Sequence, residues 1–213
     1  MKNKTFLAVL FVFLLFISSL ISILYKLQKQ VNTPHINEVD LRVSRMQKIL
    51  VISYGLTEYE AKYYSIIFDD FSQKYNIPWE VYAALIRIES NFRPDLNSSA
   101  GASGIAQLLP TTANDVAQSM GIKCEGNCLK SEVLNLALGL TYISNNILKF
   151  DEVSDSTIKL GFKTYIGGPG AASYSDSNIY VREYKSTAFQ EYKKLRCFYR
   201  GLDSVDTKIV KLK

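Results

Sequence analysis

The sequence predicts a mainly α-helical domain carried behind an N-terminal transmembrane helix. Three observations predict it. Residues 6–25 read FLAVLFVFLLFISSLISILY and hold no charge; twenty such residues in a helix match the hydrocarbon core of a bilayer. From residue 38 onward, apolar residues recur at helical spacing. No alternating run is long enough to build a sheet.

The apolar run is longer than an ordinary signal h-region, and no A-x-A-like cleavage site follows it. A retained single-pass anchor is therefore favoured, with a cleaved signal as the alternative. Lys2 and Lys4 precede the run, and Lys26 and Lys29 follow it. This distribution slightly favours a cytoplasmic N-terminus and an exported remainder, placing the bulk of the chain on the periplasmic or extracytoplasmic side. Residues 1–29 thus read as a cytoplasmic stub and anchor. Residues 30–75 follow as a linker and N-terminal helices.

Within that second segment, Val39, Val43, Met46 and Leu50 predict a helix over 38–54, ending near Gly55. Thr57 and Glu60 form a capping-box pattern for a helix to about Tyr75, with Tyr64, Ile67, Phe68 and Phe71 as its core stripe. Asn76 and Pro78 open a third helix, WEVYAALIRIES, which loses its pattern at Asn91–Pro94. Residues 94–106 are turn-rich. A short helix runs from Pro110 to Met120 and stops at Gly121. Helices over 133–150 and 156–165 follow, the second ended by Gly167-Gly168-Pro169-Gly170. Two last helical stretches fall within 178–199, and a charged tail fills 201–213.

Composition and charge remove whole classes of function. The net charge is +5, but residues 1–29 hold four Lys and no acid. The 25 basic residues less these four leave 21 against 20 acids, so the exported part is almost neutral. No basic field points to nucleic acid. The single His, His35, lies in the linker, which excludes a Ser-His-Asp triad, a Cys-His pair and a His-rich metal site. GGPG lacks the Lys and the spacing of a phosphate loop. Cys124 and Cys128 in CEGNC could close a small disulfide in an oxidising compartment. A closed zinc site wants four ligands, and no second pair exists. Cys197 reads as a buried small hydrophobe. No cofactor and no metal are expected.

Elimination leaves carboxylate chemistry, with Glu89 as candidate. Val81, Ala84, Leu85 and Ile88 should face the core, and Glu89 borders that face at 100° per residue. It ends its helix, where the dipole disfavours negative charge. Burial and dipole together favour the protonated form, as a general acid requires. An exposed carboxylate at a frayed helix end is the competing reading, and the residues of the helix alone do not displace it.

The neighbours shift the balance. The string ESNFRPDLNSSAGASGIAQLLPTTA resembles the motif series of the soluble lytic transglycosylase family, which shares the goose-type lysozyme fold. That family has E-S, then G-A-S-G-L-M-Q and a P-x-T-A helix start. Asn135-Leu136-Ala137 with Gly139 is similar to its N-I-x-x-G helix, and Tyr165-Ile166-Gly167-Gly168-Pro169-Gly170 to its Y-N-A-G-P-G. The four elements fall in family order over residues 76–185, and the resemblance implies a catalytic domain over 76–200.

What the resemblance implies is cleavage of the β-1,4 bond between N-acetylmuramic acid and N-acetylglucosamine in peptidoglycan. Glu89 takes the place of the single catalytic acid/base. Ser98 matches a Ser that hydrogen-bonds near that Glu and the substrate. Gln107 matches a Gln that lines the glycan groove, and Tyr165 a Tyr whose hydroxyl approaches the catalytic Glu. Most glycosidases use two carboxylates. Here the substrate's N-acetyl oxygen would stabilise the developing cation, and the C6 hydroxyl would close a 1,6-anhydro ring.

Two positions depart from the family. Ala106 replaces Met, which should remove an apolar contact with the sugar, and Ile166 replaces Asn, which removes a polar group beside the site. Asp95, in a turn after Pro94, reads as a capping residue. A hydrolytic muramidase on the same fold is one alternative. A non-catalytic glycan-binding component is another, with a secretion or conjugation apparatus as its partner.

Overall fold

In a computed structural model of the chain, residues 21–22, 38–124, 128–150, 152–168, 170–171 and 178–211 are described, with side chains to residue 202. The chain divides into two compact units, Met1–Leu41 and Arg42–Lys213. In the first unit, Ile21 and Ser22 are helical and exposed, and the other residues of the predicted anchor lie outside the described residues. So does His35. Among the described residues no helix is long and apolar enough to cross a membrane.

Seven helices are described: α1 Glu38–Tyr54, α2 Glu58–Tyr75, α3 Trp79–Glu89, α4 Pro110–Ser119, α5 Glu132–Leu148, α6 Asp155–Gly167 and α7 Ile179–Lys211. Among the described residues there is no named strand, only isolated bridges, so the mainly α class holds.

The local chemistry sets the boundaries. Thr57 accepts a hydrogen bond from the Glu60 N–H, and the Glu60 carboxylate accepts from the Thr57 N–H, the reciprocal box expected from sequence. Asn76 ends α2 in the left-handed conformation at φ 52°. Pro110 occupies the first turn of α4, and Gly121 at φ 71° follows its end. Ser131 caps α5, and Ser154 with Thr157 caps α6.

Helix α3 is the hub. The sequence turns Val81, Ala84, Leu85 and Ile88 toward the core, yet every residue from Trp79 to Ile86 is buried. Glu80 is buried along with the apolar residues, so the helix is wrapped on all sides rather than laid on a core. α7 packs against both α3 and α6, and α5 against α4 and α6. Met46, Ile49 and Leu50 of α1 and Phe68 and Phe71 of α2 join the same core as Leu136, Ile143 and Phe162. Val39, expected on the α1 stripe, is exposed, because the buried stripe begins about two turns later, at Met46.

Two further expectations are corrected. The pair of helical stretches within 178–199 is one helix of 33 residues, about 50 Å long at 1.5 Å per residue. The Asn178 side chain accepts from the N–H groups of Tyr180 and Val181 at its start. No proline interrupts it, and Gly201 alone does not stop it. The backbone of the charged tail is helical as far as Lys211. Cys197 is exposed, not buried, because the buried face of α7 follows Ala188, Tyr192 and Leu195. Cys124 and Cys128 are paired, with Cα atoms 5.5 Å apart.

Candidate functional site

Glu89 is the last residue of α3. The chain then turns sharply through Asn91 at φ 54° and Phe92 at φ 60°. Two successive non-glycine residues in the left-handed region are uncommon, and a bulky one is strained there. Phe92 is held in place by burial against the rings of Tyr54 and Tyr64, with centroids 5.2 and 5.1 Å away. The turn lets the following loop fold back over the end of α3.

That loop, residues 96–108, is tied by its own backbone. The Ser98 N–H donates to Ala102 O at 2.8 Å and the Gly104 N–H to Leu96 O at 2.9 Å. Ser103 and Leu108 exchange two bonds at 3.0 and 3.1 Å. Gln107 sits at φ 46°, and its amide Nε2 donates to Leu96 O and Gly104 O, both at 2.8 Å. The Gln107 NH2 group is thus committed to holding the loop.

Asn135, at the start of α5, clamps the loop from beneath. Its Oδ1 accepts from the Ala106 N–H at 2.8 Å, and its Nδ2 donates to Ser103 O at 2.9 Å. Gly104, at φ 81°, lies directly against this amide. Gly139, one turn further along α5, leaves room for the Ala106 methyl. The Asn and Gly of that motif thus serve the loop's shape. Ala106 is fully buried and faces Gly139. The Ala106 side chain therefore points into the core rather than into the groove, in keeping with the loss of an apolar contact there.

Glu89, Ser98, Gln107 and Tyr165 line one groove of about 390 Å³, together with Leu109 and Ile166. All four residues singled out by sequence are thus brought together. Glu89 is the only charged side chain among the described residues lining it. Asp95 is not part of it; its carbonyl accepts from the Asn97 amide. A larger hollow of about 500 Å³ is lined by Ile49, Ile52, Cys197 and Phe198, but it has no acid and no hydroxyl beyond Ser53.

Burial pushes the Glu89 carboxyl up to about 7, against a partial opposing effect from a hydrogen bond donated by Tyr184 Oη to Glu89 Oε1. Sequence reasoning passed over Tyr184. Its signal was the spacing Tyr184, Ala188, Tyr192, Leu195 on one helical stripe, but nothing in that stripe says which element it faces. The Tyr165 hydroxyl donates to Ala106 O at 2.7 Å. It remains close enough that burial first, and the Glu89 charge second, raise its own pKa well above the usual value. Tyr142 packs on the Tyr165 ring with centroids 5.1 Å apart and closes the far side of the groove.

No group of three or more potential metal ligands occurs among the described residues. The site is thus a tyrosine-flanked carboxyl, held half-protonated near neutral pH in a groove with one apolar wall. It can deliver a proton and take one back.

Comparison with solved structures places this architecture. An inactive Glu-to-Gln mutant of the lytic transglycosylase Slt from Pseudomonas aeruginosa matches with a TM-score of 0.54 at 20% identity, over 72% of this chain and 26% of that one. The 70 kDa soluble lytic transglycosylase from Escherichia coli matches with a TM-score of 0.49 at 20% identity, over 81% and 31% of the two chains. This chain spans less than a third of the length of either protein. The model of the transglycosylase SLT domain matches residues 67–186, from within α2 to the first turns of α7. That match takes in the hub helix, the clamped loop and both tyrosines beside Glu89, and by it the chain belongs to the transglycosylase SLT domain family.

Proposed function

We propose that this protein is a peptidoglycan lytic transglycosylase in which Glu89 is the single acid/base. The observation that carries the reading is the groove itself. It holds one carboxyl, raised to about 7, and no second carboxylate among the described lining residues. A mechanism that needs two carboxylates finds no partner for Glu89 there. One that recruits the substrate's own N-acetyl oxygen needs none.

Protonated Glu89 gives its proton to the glycosidic oxygen between N-acetylmuramic acid and N-acetylglucosamine as that bond breaks. The N-acetyl oxygen supports the positive charge at C1. The carboxylate left behind then takes the proton of the C6 hydroxyl as that oxygen attacks C1, giving the 1,6-anhydro end and restoring the acid. A pKa near 7 suits both halves of this cycle. Ser98 and the Gln107 carbonyl oxygen contact the glycan strand, and Tyr165 shapes the floor by fixing the Ala106 carbonyl.

Residues 6–25 anchor the chain, and the catalytic domain works outside the cytoplasm. The Cys124–Cys128 pairing supports an oxidising compartment.

Purified peptidoglycan digested with the wild-type protein and with Glu89→Gln tests this reading. Mass spectrometry should find anhydro-muropeptides from the wild type and none from the variant. Reducing ends dependent on Glu89 would instead make the protein a hydrolytic muramidase. Binding to peptidoglycan without product from either protein would make it a glycan-binding component.

A further inference from the structure

Past its contacts with Glu89, α7 changes character. Residues 192–202 read YKKLRCFYRGL, with four basic residues and no acid, although residues 30–213 as a whole are almost neutral. Asp155 pairs with Lys193 and Arg196, and Glu191 with Lys194, so two acids meet four cations. An excess of two positive charges remains, and the exposed Arg200 stands outside these pairings.

Beside this basic run lies the apolar hollow of about 500 Å³ between α7 and α1, where Ile49, Ile52, Phe198 and Leu202 meet. Ile52 and Phe198 are 77% and 49% exposed. Lys48, one turn before Ile52, and Lys194, at the edge of the hollow, are exposed as well. At 100° per residue, the apolar and basic residues occupy two flanks of α7, with Cys197 between them. That ridge is opposite the buried stripe of Ala188, Tyr192 and Leu195. Scattered exposed apolar residues are ordinary, whereas a contiguous apolar patch rimmed by cations marks a contact surface.

We propose that this face of α7 and α1 docks on the surface of an anionic lipid bilayer. Ile52 and Phe198 enter the headgroup layer, and Lys48, Lys194 and Arg200 meet lipid phosphates. An apolar face flanked by long basic side chains is the pattern of a segment that lies in the interface. Anionic headgroups answer the excess positive charge. A second copy seated on the same face would instead bring like charges together.

Chain length supplies proximity. With residues 6–25 as an anchor, the twelve residues from Lys26 to Asn37 reach at most about 40 Å before α1 begins. Tethering raises the local concentration of the face at the bilayer, so a patch too small to hold a free protein still docks. This step rests on the anchoring proposed above, whereas the chemistry of the face does not. Docking leaves the groove open, since Tyr184 at Glu89 precedes Cys197 by thirteen residues of α7, or about 20 Å. It also fixes the groove beside glycan near the membrane instead of leaving its orientation to the linker.

Cys197 gives the test its probe position, because Cys124 and Cys128 are paired with each other. The full chain is labelled there with nitrobenzoxadiazole and placed in phosphatidylcholine vesicles with or without phosphatidylglycerol. The anionic vesicles should shift the dye's emission to the blue and shield it from a water-soluble quencher, and high salt should weaken both effects. Ile52→Glu and Arg200→Gln alter exposed side chains, so melting curves should match the wild type. A lysine or arginine near an anionic surface contributes about a fivefold change in binding, so Arg200→Gln should lower the docking equilibrium about fivefold. Ile52→Glu should abolish the shift. Equal emission in both vesicle types, or a shift unmoved by either variant, would overturn the proposal. Shielding that grows with protein density whatever the lipid charge would also overturn it, assigning the face to a second copy. Release of the chain by alkaline carbonate would remove the anchoring alone. The same dye readout with anionic vesicles added to the released chain then decides the docking, and absence of a shift there sinks it.

Discussion

Gly104 and Asn135 interlock so closely that a Cβ built on Gly104 would lie 2.2 Å from the Asn135 amide nitrogen. Gly104 also holds φ 81°, a conformation that side chains rarely adopt. Gly104→Ala meets both obstacles and should cost about 2–4 kcal/mol. Because the same amide fixes the loop that carries Ser98 and Gln107, activity should fall further than stability alone explains. Urea denaturation beside peptidoglycan turnover measured well below the unfolding midpoint separates the two effects.

Asn135→Ala removes the acceptor for the buried Ala106 N–H and the donor to Ser103 O. A buried donor left without a partner costs about 1–3 kcal/mol. Asn135→Asp keeps an acceptor for Ala106 but sets a carboxylate oxygen against the carbonyls of Ser103 and Leu129, which Nδ2 normally satisfies. The aspartate variant should therefore be destabilised as well, and less so at low pH, where its carboxyl is protonated. Thermal melts at pH 4 and pH 7 check this; equal losses at both would contradict it.

Glu89 makes stability depend on pH in a defined direction. The folded carboxyl keeps its proton to about pH 7, whereas the unfolded one releases it near 4.5. Between these values the folded state binds more protons, so stability falls as pH rises and the full penalty is present above 7. Glu89→Gln has no charge to bury. It should exceed the wild type by on the order of 3 kcal/mol at pH 8 and match it near pH 4. Paired melting curves across that range give the difference, and a constant gap would argue against the buried carboxyl.

Arg42 grips Asp69 with two hydrogen bonds, Nε to Oδ1 at 2.8 Å and Nη2 to Oδ2 at 3.0 Å. The Asp69 side chain is 7% exposed. Arg42→Met leaves that carboxylate without its guanidinium and should cost about 2–4 kcal/mol. Adding Asp69→Leu should restore much of the loss, since the uncompensated charge is gone. A double-mutant cycle by chemical denaturation measures the coupling, and additive losses would refute it.

The helical class and most helix ends could be read from sequence because their causes are local. Thr57–Glu60, Pro110 and Gly121 act within a few residues of themselves, and each marks a boundary. The groove was legible for a different reason, since Glu89, Ser98, Gln107 and Tyr165 sit in a motif series with fixed spacing. What escaped depends on how distant segments meet. Tyr184 follows Glu89 by 95 residues, and no local pattern couples the two. The same holds for Ala106, whose burial is set by the absence of a side chain at Gly139. Cys197 was misjudged because its own type favours burial, while its phase on α7 turns it outward.

With the Ala106 methyl turned inward and the Gln107 NH2 group stitched to the loop, much of the groove's floor is set by main chain. Its walls are not. Leu109 and Ile166 both line the groove and are 43% and 45% exposed. Replacing them disturbs neither the clamp nor the acid. Under the function proposed above, natural divergence or laboratory engineering could therefore retune which glycan strands are accepted at these two positions while the proton chemistry stays intact. Resculpting the loop itself, by contrast, would undo the scaffold on which that chemistry rests.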